Sequence, residues 1–270
     1  MTETLFGNLT DIAIARIREF EPPDGYYLAF SGGKDSVVLL ELAKQSGVAF
    51  DAHYHWTTCD PPELVRFVKQ QHPDVEFGIP KESMWQLVRR KGLPSRTRRW
   101  CCEALKENGG EGRRVLTGVR WAESAMRRVH HGLTTTYKTG RKTLINPIID
   151  WSDTDVWSFI TSEGIPYCSL YDEGWRRLGC VLCPFTRRVE REITRWPGIA
   201  AAWRESFRRY FATREDLQEK WSSADAFFDR WLERDGSLSH GDMGVDDDCE
   251  LFAGAGNEIG QTQVAPWLEG

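Results

Sequence analysis

The chain has 270 residues, 40% of them hydrophobic and 12% aromatic. That is enough to bury a substantial core, which excludes disorder throughout. No apolar run approaches the roughly 20 residues needed to cross a bilayer, and the N-terminus lacks the basic, apolar and small-residue regions of a secretion signal. The expectation is a soluble cytoplasmic protein. The formal charge of -5 is unevenly spread: residues 236–270 hold seven acidic residues (Asp242, Asp246, Asp247, Asp248, Glu250, Glu258, Glu269) and no Lys or Arg, leaving 35 basic against 33 acidic residues before them. Arginines cluster at Arg89-Arg90-Lys91, Arg96, Arg98-Arg99, Arg113-Arg114 and Arg127-Arg128, a distribution that suits phosphate-bearing ligands as well as solvated helix faces.

In chain order, the pattern predicts an amphipathic helix over Asp11 to Phe20, ended by the turn Pro22-Pro23-Asp24-Gly25, then a strand from Tyr26 to Phe30. Helix Asp35 to Gln45, strand Ala49 to Trp56, helix Pro62 to Gln71, strand Val75 to Ile79 and helix Met84 to Arg90 follow. A helix over Arg98 to Lys106, strands over Arg114 to Val119 and Thr143 to Ile149, and a helix over Asp153 to Glu163 continue the alternation. Such alternation implies right-handed crossovers and an open, mostly parallel α/β sheet with helices on both faces. From Arg187 to Glu233 the pattern is helical, with Trp196, Trp203, Trp221 and Trp231 expected to pack back onto the sheet. Three regions result: 1–186 an α/β domain, 187–235 a helical extension and 236–270 an acidic tail expected to be poorly ordered.

Ser31-Gly32-Gly33-Lys34-Asp35-Ser36 stands where the first strand hands over to a helix. Glycines let backbone N–H groups approach an anion closely, and the helix N-terminus adds a favourable dipole. Lys34 supplies a point charge, and Ser31 and Ser36 supply hydroxyl donors. The spacing is not that of Walker A, which places four residues between its first glycine and Gly-Lys-Ser/Thr.

These residues resemble the PP-loop family of adenine nucleotide alpha-hydrolases. The resemblance continues through His55-Trp56-Thr57-Thr58-Cys59-Asp60-Pro61-Pro62-Glu63, then Gly118-Val119-Arg120-Trp121-Ala122-Glu123-Ser124-x-x-Arg127. Further on it includes Pro147-Ile148-Ile149-Asp150-Trp151-x-x-x-Asp155-Val156-Trp157 and Leu170-Tyr171-Asp172-x-Gly174. In this order the motifs are similar to those of the phosphoadenosine phosphosulfate (PAPS) reductase-like branch, and they span about Tyr26 to Arg188. The resemblance implies an adenylyl-nucleotide site, with Lys34, Asp35, Arg120 and Arg127 as its catalytic candidates. Ser31, Gly32, Gly33, Lys34, Asp35, Ser36, Thr57, Thr58, Asp60, Gly118, Arg120, Glu123 and Ser124 are its nucleotide-binding candidates.

Residue chemistry supports the same assignment. Thr57, Thr58 and Asp60 fall at the carboxyl end of a strand, where open α/β sheets bind ligands. Arg120 and Arg127 can meet phosphate or sulfate oxygens with Glu123 orienting them; a purely structural Arg-Glu-Arg network is the alternative. Asp150, Trp151, Asp155 and Trp157 are expected to cap and pack the next helix. His53 and His55 face one side of their strand and are expected to be structural.

Seven cysteines without a secretion signal argue for metal or redox chemistry rather than a disulfide framework. Cys101-Cys102 and Cys180-Val181-Leu182-Cys183 make two pairs about eighty residues apart. Adjacent cysteines are awkward ligands for one tetrahedral zinc, whereas the separate irons of a cubane can each take one; zinc or free thiols remain the alternatives. The pairing is similar to the 4Fe-4S site of adenosine phosphosulfate (APS) reductases and of the PP-loop enzyme of bacterial DNA phosphorothioation systems. Cys59, Cys168 and Cys249 are left as buried or incidental thiols.

The resemblance implies an ATP pyrophosphatase using Mg²⁺ and a 4Fe-4S cluster, which activates an acceptor for sulfur incorporation. The acceptor expected is DNA phosphate, or otherwise tRNA, and the sulfur donor a cysteine desulfurase; a second copy of the chain is a further candidate partner, and no membrane is expected. The alternative is reduction of APS or PAPS to sulfite with thioredoxin, which needs a nucleophilic cysteine in a Glu-Cys-Gly-x-His type segment. Cys249 sits instead in Asp247-Asp248-Cys249-Glu250-Leu251-Phe252, where acidic neighbours disfavour a thiolate. A nucleotide- or cluster-sensing regulatory subunit is the non-enzymatic alternative.

Overall fold

The computed structural model describes residues 3–4, 7–137 and 142–233. The acidic tail and Cys249 lie outside the described residues. Two short strands, β1 (Glu3–Thr4) and β2 (Gly7–Asn8), pair as an antiparallel ribbon that pattern reading does not predict. Helix α1 (Leu9–Glu19) follows, capped by the Asn8 side chain, which accepts from the Thr10 N–H at 3.1 Å.

The main sheet has six strands: β3 (Tyr26–Ala29), β4 (Phe50–His55), β5 (Glu76–Gly78), β6 (Arg114–Leu116), β7 (Thr134–Thr136) and β8 (Thr143–Ile145), in the order β5-β4-β3-β6-β8-β7. All pairings are parallel except β7 with β8. The parallel strands lie where the sequence predicts them, but they are shorter. The expected strand Thr143 to Ile149 stops at Ile145, because Ile149 N–H and Trp151 N–H bond back to Asn146 and Ile148 carbonyls in turns. The antiparallel edge strand β7 is Thr-Thr-Thr, three β-branched residues with no apolar alternation to betray them.

Helices α2 (Lys34–Ser46), α3 (Pro62–Gln71), α4 (Met84–Lys91), α5 (Trp100–Leu105), α6 (Ala125–His130) and α7 (Asp153–Ser162) connect or follow the strands. Val37, Val38, Leu39, Leu42 and Ala43 of α2 are almost fully buried, and this helix packs between α1 and α7. Strand order reverses between β3 and β6, so the crevice of an open α/β sheet forms at the carboxyl ends of those two strands.

The extension comprises α8 (Val189–Arg195), α9 (Pro197–Phe211), α10 (Glu215–Lys220) and α11 (Ala224–Glu233). Trp196, Trp203 and Trp231 are core residues, as expected, and Trp221 is half-buried against the core, but they pack on helices and loops rather than on the sheet. Trp203 meets Trp85 of α4 edge to face at 5.6 Å between ring centres, and Trp196 donates to the Glu63 carboxylate of α3 at 3.0 Å. The reason is that α3 and α4 already cover the sheet, leaving their outer surfaces as the available apolar ground. Two further contacts of the extension reach a particular loop. The Trp203 indole donates to the Val181 carbonyl at 3.1 Å, and the buried Glu192 carboxylate accepts from Leu182 N–H at 2.6 Å.

Trp203 is 1% exposed, so Trp203→Ala removes both a packed ring and that loop anchor. It is expected to cost about 3–5 kcal/mol, read as a lowered urea midpoint with an unchanged slope.

Candidate functional site

The phosphate loop begins where β3 ends. Gly32 takes φ +71°, a left-handed conformation that favours glycine, and a Cβ there would stand 2.8 Å from both Leu64 and Val68 of α3. The Ser36 hydroxyl is committed internally, donating to the Gly33 carbonyl at 2.9 Å and accepting from Ser31 N–H at 3.2 Å. The Lys34 N–H, at the first position of α2, donates to the Tyr171 hydroxyl at 2.8 Å. Ser31 is exposed and Gly33 half-buried, so the open side of the loop is backbone plus one hydroxyl.

Beneath the loop lies a charge network. The Arg120 guanidinium, 1% exposed, donates to Asp35 at 2.7 Å, to Asp153 at 2.6 Å and to the Trp151 carbonyl at 3.0 Å. Lys34 Nζ lies 3.3 Å from both Asp35 and Asp153. Gly118 permits this approach, since a Cβ there would sit 3.0 Å from the Asp35 backbone. Desolvation works against the Arg120 charge, but Asp35 and Asp153 outweigh it and raise its pKa. Asp153 is lowered because Arg120 and Lys34 overcome the effect of burial.

Glu123 accepts from the Arg120 N–H at 3.2 Å and pairs with Arg127, while Ser124 caps α6 by accepting from Arg127 N–H at 3.2 Å. Burial lowers the Arg127 pKa, Glu123 opposes this, and Arg177 and Arg120 add repulsion. Of the expected catalytic group, therefore, Lys34, Asp35 and Arg120 form one contact network, with Arg127 joined to it through Glu123. Arg120 is a buried clamp and Arg127 the half-buried cation nearer solvent.

Thr57, Thr58 and Asp60 lie at the end of β4, as predicted, yet their polar atoms turn inward. Asp60 accepts from Thr57 N–H at 2.8 Å, and Thr58, at φ +66°, accepts from Met84 N–H at 2.8 Å. Thr57 is 1% exposed, and its hydroxyl lies 3.4 Å from the sulfurs of both Cys59 and Cys180. This turn thus joins the nucleotide end of the sheet to the thiols.

Cys101 and Cys102 lie in the first turn of α5, and Cys180 and Cys183 flank a turn in which Leu182 adopts φ +58°. The two stretches meet: Arg96 donates to the Pro184 carbonyl at 3.1 Å, and Cys101 interacts electrostatically with Cys102, Cys180 and Cys183. Among the described residues, no three His, Cys, Asp or Glu side chains are arranged to hold a metal ion. The Cys102 thiol is pulled down to about 6, first by a hydrogen bond from Cys101 and then by Arg99, which donates to its sulfur at 3.3 Å; Cys101 and Cys183 are raised. Cys180 is lowered to about 7, chiefly by Cys59 and then by Lys106. Burial alone would lower the Lys106 pKa, but Cys180 and Asp60 reverse the sign and raise it.

The histidines are structural, as expected: His53 stacks on Tyr27 with ring centres 4.2 Å apart, and His55 contacts the Tyr27 hydroxyl at 2.5 Å. Cys59 and Cys168 are buried. Asp150 pairs with Arg16 at 2.8 Å, while the cap of α7 is Ser152, with Asp155 completing a capping box. Sequence reading misses Asp153, Tyr171, Arg177 and Lys106. Tyr171 stands inside a quoted motif, and Asp153 is the first residue of a predicted helix. Lys106 and Arg177 carry no signal beyond their charge.

Fold and site together define a nucleotide-binding α/β protein with an anion loop at its topological switch point and a thiol patch alongside. Residues 25–186 match the phosphoadenosine phosphosulfate reductase domain. The chain belongs to that family, whose members are nucleotide-modifying enzymes. It is 32% identical to an uncharacterized protein of Methanocaldococcus jannaschii over 72% of this chain and 43% of that protein. An adenosine 5'-phosphosulfate reductase of Anoxybacillus flavithermus is 25% identical over 65% of this chain and 80% of that enzyme. A probable FAD synthase of Schizosaccharomyces pombe is 30% identical over 59% of this chain and 60% of that protein. The chain spans less than half the length of the two Methanocaldococcus jannaschii relatives it matches. No described helix is long and apolar enough to cross a membrane.

Thiol reactivity offers a direct check. In metal-free protein, Cys102 is expected to be alkylated by iodoacetamide faster than Cys101. A depressed pKa leaves the thiolate populated above about pH 6 and protonates it below, so the Cys102 rate should fall as pH drops through 6, followed by peptide mass spectrometry.

Proposed function

We propose that the chain is an ATP pyrophosphatase that activates an acceptor for sulfur incorporation. An acceptor oxygen attacks the α-phosphorus of ATP, the bond from that phosphorus to the bridging oxygen of the β-phosphate breaks, and pyrophosphate leaves. Such chemistry relies on placement and charge neutralisation. Lys34 is placed to neutralise the leaving pyrophosphate, Asp35 and Arg120 fix the base of the loop, and Arg127 with Arg177 supplies positive charge at the rim. Mg²⁺ bound with the nucleotide would supply further neutralisation of phosphate charge. The observation that carries this reading is the Gly32-turned loop at the switch point, with a cation at its first helical residue and a buried Arg120 clamp below.

The thiol patch supports the sulfur side of the reading. Four thiols come together from two chain segments, with Arg99 and Lys106 offsetting thiolate charge. In this reading Cys101, Cys102, Cys180 and Cys183 would hold a 4Fe-4S cluster, which would supply a place to hold sulfur or an electron, and they would have to draw closer to do so, since they do not surround a metal position here. The acceptor in this reading is DNA phosphate, as in phosphorothioation, or otherwise tRNA, and a cysteine desulfurase supplies the sulfur. The surplus of basic over acidic residues before the tail permits nucleic-acid contact.

A second reading, APS or PAPS reduction with thioredoxin, is favoured by the likeness to the Anoxybacillus flavithermus reductase. The acidic setting of Cys249 weighs against it. The two separate in one paired assay on anaerobically purified protein. With ATP, Mg²⁺, nucleic acid and a desulfurase, pyrophosphate is expected, reduced at least ~100-fold in Lys34→Ala. Sulfite from APS or PAPS with thioredoxin, lost in Cys249→Ser, would overturn the pyrophosphatase reading. Absorbance near ~400 nm and about four irons per chain are expected for the cluster; a colourless zinc-loaded protein rejects it.

A further inference from the structure

Cys59 is the one described thiol that neither the phosphate loop nor the proposed cluster uses while lying against a residue that the cluster needs. Its side chain is fully buried. Its sulfur and that of Cys180 each lie 3.4 Å from the same oxygen, Thr57 Oγ1, and the two thiols bear on one another electrostatically. The backbones are pinned together as well, since Val181 N–H donates to the Cys59 carbonyl at 2.9 Å. Cys180 is half-buried, so a small oxidant reaches the pair through that side.

We propose that Cys59 and Cys180 form an oxidative modification site, closing to an intramolecular disulfide when Cys180 is not engaged by a metal. With a peroxide as oxidant, the Cys180 thiolate attacks one peroxide oxygen and becomes a sulfenic acid while hydroxide leaves. The Cys59 sulfur then attacks the Cys180 sulfur, the S–O bond breaks, and water is released. The net change is two thiols and one hydrogen peroxide giving one disulfide and two waters.

The rival pairs are less well placed. A Cys101–Cys102 disulfide joins neighbours in sequence and is strained. Cys183 is tied to Cys180 by a turn, its N–H donating to the Cys180 carbonyl at 3.3 Å, whereas Cys59 shares with Cys180 both the Thr57 hydroxyl and the backbone bond from Val181. The only two non-glycine residues with positive φ among the described residues, Thr58 and Leu182, each stand within two positions of this contact. Strained backbone of that kind persists where surroundings hold it firmly, which fixes the two segments against each other. Because Cys180 is also a proposed cluster ligand, the disulfide and the cluster exclude one another, and this consequence alone rests on the function proposed above.

The test uses full-length, metal-free protein treated anaerobically with one equivalent of hydrogen peroxide and mapped by mass spectrometry without reduction. A Cys59–Cys180 linked peptide is expected as the main disulfide and should vanish on treatment with dithiothreitol. Recovery of Cys180 linked mainly to Cys183, or of Cys59 as a free thiol, overturns the proposal. In wild-type protein the oxidised form should fail to take up iron and sulfide until reduced. In Cys59→Ala and Cys59→Ser the same peroxide treatment should leave Cys180 as a sulfenic acid that dimedone traps, a species that wild-type protein passes through without accumulating. If the linked peptide forms in a protein that never binds iron, the cluster reading fails and the disulfide site stands.

Discussion

Much of this structure depends on one buried guanidinium. Arg120 reaches the first turn of α2 through Asp35, the start of α7 through Asp153, and the chain before it through the Trp151 carbonyl. A charge this deeply enclosed persists only with partners on every side, and losing one leaves the rest uncompensated. Three parts of the chain distant in sequence are thereby held in one arrangement, and the phosphate loop is the part that faces outward. Lys34 shares the same two carboxylates, so its ammonium is oriented before any ligand arrives. Preorganised charge of this sort avoids reorganisation when an oxyanion binds.

The thiol patch obeys a second constraint, and it comes from the extension. The loop carrying Cys180 and Cys183 buries Val181 and Leu182 in the core, but its backbone polar groups still need partners to fix them. Trp203 and Glu192 supply the fixing by bonding Val181 and Leu182 on the loop's backbone. The helices after residue 187 therefore act as the scaffold of the cysteine site, and one continuous core runs through both regions. On its other side the loop meets the Thr57-to-Asp60 turn, so the thiols and the nucleotide end of β4 share a wall.

What the sequence discloses follows from range. Strands β3, β4, β5, β6 and β8 and helices α2, α3, α4 and α7 announce themselves through local periodicity, and the loop Ser31 to Ser36 through its glycines. The joining of Cys101 and Cys102 to Cys180 and Cys183 is legible as spacing and family resemblance. Asp153 and Tyr171 are not legible as site residues, because each acts on Lys34 from over a hundred positions away. Thr57 and Asp60 read as ligand contacts from their place on the sheet; Asp60 accepts instead from the Thr57 N–H, and the Thr57 hydroxyl meets Cys180, which no local pattern reveals. The edge strand β7 and the terminal ribbon lack any alternation and are defined only by their partners.

The charges around the loop show why such a site can exist before a nucleotide is present. Lys34, Arg120, Arg127 and Arg177 meet Asp35, Asp153 and Glu123. Without the carboxylates, four cations in one crevice would repel one another and spread apart. With them the excess is a single positive charge, set at the rim, where Arg127 has its pKa lowered by burial and by its cationic neighbours. In the proposed reading, that excess is what an anion arriving at the crevice meets. Tyr171 completes the loop in the same way, since its hydroxyl occupies the Lys34 N–H that an anion at a helix start otherwise takes. The site is thus held in shape by internal partners, the Tyr171 hydroxyl on the Lys34 N–H and the Asp35 and Asp153 carboxylates on its ammonium.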